Sequence, residues 1–170
     1  MSASGEIRRA ADGGKNNWRT PRRLFDLYDA EWGFTLDGAA DADNALCARY
    51  YAEECDAFAQ VPEGEIIWCN PPYGDLKRWI DLFIRWSQKN IVIALVPSAT
   101  DTVWFANAWK ASKEVTLLTG RVRFINPATG KADGSNTTGS AIFRMTPNRG
   151  CRECPHVDTL DWTAEQKALR

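Results

Sequence analysis

The sequence has no long hydrophobic run, no strong net charge and very little histidine or methionine. Its 170 residues include one histidine and two methionines, and the formal net charge is −1. No stretch approaches the run of about 18 apolar residues that a membrane-spanning helix needs, and no secretory signal opens the chain. The near-neutral charge disfavours a general polyanion binder, although a local basic face is compatible with it. We therefore expect a cytoplasmic protein with no membrane partner.

Cysteine is present without the pattern of a disulfide framework. The five cysteines are odd in number and irregularly spaced, at Cys47, Cys55, Cys69, Cys151 and Cys154. In a chain without a secretory signal this predicts reduced thiols. The Cys151, Cys154 and His156 spacing is that of half a zinc site. No second Cys/His pair lies nearby, and structural zinc takes four ligands, so we predict no bound metal.

The length of the chain suits one folded domain with its own core. The first residues, 1–17, are small and polar, and they predict a mobile tail. Residues 18–147 are expected to form the main domain. Residues 148–170 read as a C-terminal extension whose only regular element is a short helix near 163–169.

Between these ends, apolar segments alternate between helical and strand periodicity. Thr20 as N-cap, Pro21 in the first turn and Gly33 as a stop predict the first helix, and Asp75 is the expected N-cap of a second. Residues 38–51 read as a loop that enters a helix. The remaining expected elements are a helix over 102–112 and strands over 34–37, 65–69, 90–97, 114–118, 121–125 and 140–145.

Strands that alternate with helices predict an α/β fold with a mostly parallel sheet and helices on both faces. In such sheets ligands bind beyond the carboxyl ends of the strands. Asp37, Asn70 and Pro97 each come at the end of an expected strand. We therefore expect a functional site along this edge of the sheet.

The segment IIWCNPPYG, residues 66–74, carries the clearest chemistry. Its two prolines fix the backbone, so the Asn70 side-chain oxygen and the Pro71 carbonyl are held as two hydrogen-bond acceptors. Two acceptors suit the exocyclic amine of an aromatic base, because they favour the pyramidal nitrogen that a methyl transfer requires. Tyr73 then offers a flat face for a base flipped out of a duplex. The structural alternative is that Pro71-Pro72 ends a strand and Tyr73 packs on the domain.

Beyond this tetrapeptide, several segments stand out over about residues 18–145. They are W-R-T-P-x-x-L-F-D (18–26), F-T-L-D-G-A-A-D-A-D-N-A (34–45), W-C-N-P-P-Y-G (68–74), the helix with Trp79, L-V-P-S-A-T-D-T-V-W-F (95–105), G-R-V-R-F (120–124) and G-S-A-I-F (139–143). Their order and spacing resemble the phage-type DNA N6-adenine methyltransferases, the Dam-like family. The resemblance implies a Rossmann-like, S-adenosylmethionine-dependent enzyme, encoded by a phage or prophage, that methylates adenine in double-stranded DNA.

The resemblance also implies roles for particular residues. Those expected in catalysis are Asn70, Pro71, Pro72 and Tyr73, and those expected to bind the cofactor are Trp18, Thr20, Pro21, Asp37, Ala39, Ala40, Asn44 and Asp56. Thr20-Pro21 matches the segment at the methionine end of the cofactor, and Trp18 is a candidate pocket wall. The first-strand motif lacks the usual G-x-G, since Gly38 is its only glycine. Asp37 as a helix N-cap is the structural alternative.

DNA contacts are expected from four basic residues and two loops. Lys77 and Arg78 follow the tetrapeptide, and Arg121 and Arg123 alternate along an expected strand. Solvated helix faces and surface salt bridges are the structural alternatives for all four. No separate target-recognition domain fits in this length, so base reading is assigned to the loops 57–65 and 126–138.

Two other functions are compatible with the sequence. Asn-Pro-Pro-Tyr geometry also suits a planar amide or an RNA base, so a methyltransferase for glutamine or RNA is one alternative. A nucleic-acid-binding relative whose cofactor site has decayed is the other, and the intact tetrapeptide and Thr20-Pro21 pair argue against it.

Overall fold

The fold is built on a six-stranded sheet with the strand order β1-β2-β3-β5-β4-β6. The computed structural model describes residues 18–132, 137–147 and 154–167. The strands are β1 (Leu36–Asp37), β2 (Ile66–Cys69), β3 (Ile91–Pro97), β4 (Glu114–Thr119), β5 (Ser140–Met145) and β6 (His156–Asp161). The helices are α1 (Arg22–Trp32), α2 (Leu76–Trp86), α3 (Val103–Ala111) and α4 (Trp162–Lys167). None of the helices in these ranges is long and apolar enough to cross a membrane.

The sheet is mixed, not mostly parallel. β1, β2 and β3 pair in parallel, and so do β4 and β6, whereas β5 runs antiparallel to both of its neighbours. The expectation of an α/β fold is confirmed, and the expectation of a mostly parallel sheet is correct only for part of it. The physical reason is the connection between β4 and β5, in which no helix is described. Parallel neighbours need a long crossover, whereas antiparallel neighbours do not.

Helices cover both faces of the sheet, as expected. The alternating side chains of β3 divide between two apolar clusters: Val92, Ala94 and Val96 face α2 and α3, whereas Ile93 and Leu95 face α1 and α4. This is the period of two that a strand buried on both faces must show.

The helix ends follow the sequence with one exception. Gly33 ends α1 with a left-handed φ of 64°, and Asp75 caps α2 by accepting from the Arg78 N–H, both as predicted. Thr20 is not the N-cap of α1. That position belongs to Pro21, whose carbonyl accepts from the Leu24 N–H while Thr20 is buried. Pro21 itself is non-helical, with a φ of −58° and a ψ of 126°, so α1 begins one residue later than predicted.

Three further predictions are corrected by the structure. Residues 121–125 are not a strand, since only Ile125 forms isolated bridges there. Residues 38–51 do not enter an α-helix, and two 3-10 turns, Glu53–Cys55 and Ala57–Ala59, follow instead. The C-terminal segment contributes β6 in addition to the expected short helix. β6 is an exposed edge strand, so it lacks the apolar alternation by which a strand is recognised in sequence.

Candidate active site

Asn70 lies at the carboxyl end of β2, between the ends of β1 and β3. The register pairs Asp37 with Trp68 and Cys69 with Ala94, so the three strand ends meet at one edge of the sheet. Pro71 is buried, and Tyr73 opens a 3-10 turn that leads into α2. The tetrapeptide is thus fixed by a strand on one side and a helix on the other.

The Asn70 carboxamide is held at both ends. Its Nδ2 donates to the Trp18 main-chain carbonyl at 3.0 Å, and its Oδ1 accepts from the Tyr73 hydroxyl at 3.1 Å. The Tyr73 ring also makes an edge contact with Phe124, with the centroids 6.2 Å apart. Burial raises the pKa of the Tyr73 phenol, so the hydroxyl stays protonated and can donate.

Beside Asn70 is a cleft with a volume of about 520 Å³. This lies within the range of about 300–1,000 Å³ that small-molecule sites occupy. The cleft brings together many of the predicted residues: Trp18, Ala39, Ala40, Asn44, Asp56, Asn70, Pro72 and Arg78. Residues that are far apart in the sequence therefore form one site.

The charge of this cleft favours a cationic ligand with a flat aromatic part. Its acidic lining residues are Asp41, Glu53, Glu54 and Asp56. Among the residues that the structure describes, Arg78 is the one basic residue of the lining. Its guanidinium lies 3.8 Å from the centroid of the Phe58 ring. Phe58, with Tyr51 and Trp79, supplies aromatic surface to the same cleft.

Asp37 supports the wall of the cleft instead of facing into it. It is buried, and its carboxylate accepts from the N–H groups of Ala39 at 3.3 Å and Leu46 at 3.2 Å. Burial raises the pKa of Asp37 to about 6, and these two hydrogen bonds oppose part of the rise. Asp37 is absent from the lining found among the described residues, and it caps a turn, not a helix.

Gly38 leaves no room for a side chain next to this carboxylate. A Cβ there would lie 3.1 Å from the Trp86 ring and 3.2 Å from the Cys69 sulfur. The motif therefore keeps a glycine where the loop packs on the sheet and on α2, and it presents the small Ala39 and Ala40 to the cleft.

Asn44 and Asp56 also have local structural roles. Asn44 Oδ1 accepts from the Asp41 N–H at 2.8 Å. Asp56 has a φ of 41°, and its side chain accepts from the Phe58 N–H at 3.1 Å. Positive φ at a non-glycine residue is strained and is often found at functional sites.

The remaining predicted residues lie outside the cleft. Thr20 is buried, and Pro21 precedes α1. Lys77 is exposed and pairs with Asp81 one helical turn on. Arg121 and Arg123 are exposed on the irregular segment after β4, so the prediction that they alternate along a strand is wrong.

The prediction of no bound metal concerns residues that are only partly described. Cys151 lies outside the described residues, as do residues 1–17 of the expected N-terminal tail. Within the described ranges no group of three or more His, Cys, Asp or Glu side chains is placed to hold a metal ion.

Sequence reasoning missed several residues of the cleft wall. Tyr51, Glu53, Glu54 and Phe58 all line the cleft, and so does Trp79, for which no role in the site was predicted from the sequence. The one signal was the mixture of acidic and aromatic residues in Y-A-E-E-C-D-A-F (51–58). No helical or strand periodicity accompanies it.

Comparisons with known proteins find one family and several relatives. The family model described as DNA N-6-adenine-methyltransferase (Dam) matches residues 9–166. The chain is 28% identical over 152 residues to the DNA N-6-adenine-methyltransferase of Escherichia phage T1, a match that covers 79% of this chain and 64% of that protein. It is 25% identical over 138 residues to the DNA N-6-adenine-methyltransferase of Haemophilus phage HP1, with 78% of this chain and 80% of that protein covered. The chain thus spans less than two thirds of the phage T1 relative.

Proposed function

The chain belongs to the DNA N-6-adenine-methyltransferase (Dam) family, and from this membership we propose that it transfers a methyl group from S-adenosylmethionine to the N6 amine of adenine in double-stranded DNA. The observation that carries the proposal is the position of Asn70, which directly follows β2 and lines the acidic and aromatic cleft. A rigid pair of acceptors thus stands next to a site for a cationic cofactor. The proposed scaffold is a Rossmann-like domain over 18–147, encoded by a phage or prophage and active in the bacterial cytoplasm.

The donor set of the cleft fits S-adenosylmethionine. The cofactor carries a sulfonium, an ammonium and a flat adenine, and the cleft offers carboxylates together with the Phe58 and Tyr51 rings. The small Ala39 and Ala40 allow close approach, while Asn44 and Asp56 offer hydrogen-bonding groups. Thr20, Pro21 and Asp37 are assigned to holding the walls. When bound, the cofactor supplies an electrophilic methyl group.

The chemical step depends on the substrate amine accepting a pyramidal geometry. Its lone pair is delocalised into the adenine ring, so the free amine is a poor nucleophile. Asn70 Oδ1 and the Pro71 carbonyl accept the two N–H hydrogens, which frees the lone pair for attack. Because Pro71 and Pro72 fix the backbone in advance, little reorganisation is required at reaction.

Tyr73 is proposed as the surface on which the extruded adenine stacks. Its hydroxyl donates to Asn70 Oδ1 at 3.1 Å, so we propose that the substrate amine competes with that donor for the oxygen. A hydrogen bond from the amine then replaces the one from the Tyr73 hydroxyl. The net cost is small compared with leaving Asn70 Oδ1 without a hydrogen-bond donor.

DNA is proposed to contact the exposed basic residues around this edge of the sheet. Lys77, Arg121 and Arg123 have exposed side chains suited to phosphate contacts. Arg78 lines the cleft, where its guanidinium stacks on Phe58, and we propose it as the DNA contact nearest to the cofactor. The loops 57–65 and 126–138 remain the proposed base-reading segments.

The test is transfer of labelled methyl from S-adenosylmethionine to duplex DNA, with RNA and protein as parallel substrates. We expect label in DNA with the wild type and none with Asn70→Ala. Label in RNA or protein but not in DNA would contradict the proposal. Calorimetry that detects no cofactor binding at millimolar ligand would favour a decayed binding module.

A further inference from the structure

One main-chain atom decides which end of the Asn70 carboxamide faces the substrate. Asn70 Nδ2 donates to the Trp18 carbonyl at 3.0 Å, and Oδ1 accepts from the Tyr73 hydroxyl at 3.1 Å. A carbonyl oxygen only accepts, whereas a phenol hydroxyl both donates and accepts. Tyr73 is compatible with either orientation of the amide. Trp18 is compatible with one, because the flipped amide would put two oxygens face to face.

The Trp18 carbonyl is itself held by a pairing remote from β2. The next residue, Arg19, donates its N–H to the Ile125 carbonyl at 3.0 Å and accepts from the Ile125 N–H at 2.9 Å. Ile125 also bridges to Ala132, and the Asn126 N–H donates to the Lys131 carbonyl at 2.9 Å to close a short hairpin. The segment before α1 is therefore clamped by backbone hydrogen bonds.

We propose that the Trp18 carbonyl, fixed by the Arg19–Ile125 pairing, is a positioning group that directs Asn70 Oδ1 toward the target amine. The inference rests on the proposed function, and it assigns a role to the chain before α1 that contact with cofactor does not explain. In the wrong orientation the amide would present N–H donors to the amine hydrogens of the substrate. Misorientation would then remove one of the two acceptors on which the chemistry depends.

The proposal has a specific consequence for an aspartate at position 70. A carboxylate has no donor for the Trp18 carbonyl, so one of its oxygens would face another oxygen. Protonation relieves this conflict, because a carboxylic acid donates to the carbonyl and keeps one oxygen as acceptor. The carboxyl of Asn70→Asp should therefore titrate above the ordinary aspartate pKa of about 3.9.

The experiment is a carbon-13 NMR titration of that carboxyl, which requires no enzymatic activity. We compare the double variants Asn70→Asp/Ile125→Pro and Asn70→Asp/Ile125→Val. Proline removes the N–H that pairs with Arg19, whereas valine keeps it. We expect a raised pKa with valine and a smaller rise with proline, since the released carbonyl can move away. An ordinary pKa, or an equal rise in both variants, would overturn the proposal.

A second experiment measures the rate of methyl transfer by the single variant Asn70→Asp as a function of pH. It does not depend on whether the proline variant folds. We expect its rate to fall with rising pH through the same pKa, whereas the wild-type rate shows no such fall. Wild-type activity at neutral and alkaline pH in the aspartate variant would contradict the inference. A wild type that transfers no methyl to DNA would instead refute the proposed function, and the titration would still decide the inference.

Discussion

The two sides of the cleft are built in opposite ways. The reactive side, Asn70 to Tyr73, is stiff because two prolines and the end of β2 fix it. The opposite wall, residues 51–59, has no long element and consists of two 3-10 turns joined at Asp56, with a φ of 41°. The acceptors proposed for the chemistry thus lie on the rigid side, and most of the residues proposed to contact the cofactor lie on the irregular side.

The irregular wall takes its shape from α2. Arg85 donates to the Phe58 carbonyl at 2.8 Å, and the Trp86 indole donates to the Gln60 carbonyl at 3.1 Å. Phe58 also packs against Trp79, with ring centroids 4.8 Å apart. Rigidity of the reactive side is local, whereas rigidity of the wall comes from tertiary contacts. Substitutions on the two sides should therefore have different effects. Those on the reactive side should lower the rate of methyl transfer, and those on the irregular wall should weaken cofactor binding.

The largest expected effect is from Asn70→Ala on the rigid side. We expect the single-turnover rate of methyl transfer to fall by about 100- to 1,000-fold, the cost of losing one positioned polar group in a catalytic site. Cofactor affinity should stay close to that of the wild type, as measured by calorimetry. If Asn70→Ala lost cofactor affinity to the same extent as rate, catalysis and cofactor binding would not be divided between the two sides of the cleft.

The next largest effect is a change of the unfolding free energy with pH, caused by ionisation of Asp37. Its pKa of about 6 lies above the unfolded value near 3.8, so the folded protein binds the extra proton. The contribution of this group to stability is therefore complete below the unfolded pKa and is lost as pH rises through about 6. Relative to Asp37→Asn, the wild type should lose up to about 3 kcal/mol of unfolding free energy over that window.

Urea unfolding at several values between pH 4 and pH 7.5 measures this difference. The variant serves as the reference because it cannot ionise at this position. A wild-type unfolding free energy that rises with pH relative to the variant, or that keeps a constant offset from it, would show that the Asp37 carboxylate is not destabilised by burial under the loop.

A smaller effect is expected from Phe58→Ala on the irregular wall. Removing a ring on which we propose that the cofactor adenine stacks costs about 1–3 kcal/mol, so the cofactor Kd should rise by roughly 5- to 150-fold. The rate at saturating cofactor should change much less. Val61→Ala, at a nearby side chain that is 80% exposed, is the control that should leave Kd unchanged. An equal change of the cofactor Kd in Phe58→Ala and Val61→Ala would show that Phe58 does not contact the cofactor.

The smallest effect is from Tyr73→Phe, which keeps the ring but removes the hydroxyl. Asn70 Oδ1 is then free of its internal donor. Because a neutral hydrogen bond contributes about 0.5–1.5 kcal/mol, the KM for DNA should fall by a few-fold. Tyr73→Ala should raise it instead, since the stacking surface is lost. A KM that rises in both variants would mean that the hydroxyl itself contacts the substrate.

The same contrast explains what the sequence could predict. Asn70, Pro71 and the Asp75 cap are local features whose geometry follows from residue type. Tyr51 and Phe58 reach the cleft only because α2 holds their segment, and nothing in the local pattern encodes that contact. The antiparallel β5 and the edge strand β6 were likewise set by pairing partners distant in the chain.

Thr20 and Asp37 also show that tertiary contacts decide where a single residue lies. Both were expected to touch the cofactor, and the structure buries both and leaves them out of the described lining of the cleft. A motif identifies the residues that a site needs, but burial and hydrogen bonding decide whether each one contacts the ligand or holds the wall.

The most direct test of the central claim identifies the modified base. Duplex DNA incubated with the protein and S-adenosylmethionine is digested to nucleosides and analysed by mass spectrometry, with Asn70→Ala as the control. The account predicts N6-methyl-2′-deoxyadenosine with the wild type alone. Methylated cytosine without methylated adenine, or an equal yield from Asn70→Ala, would contradict it.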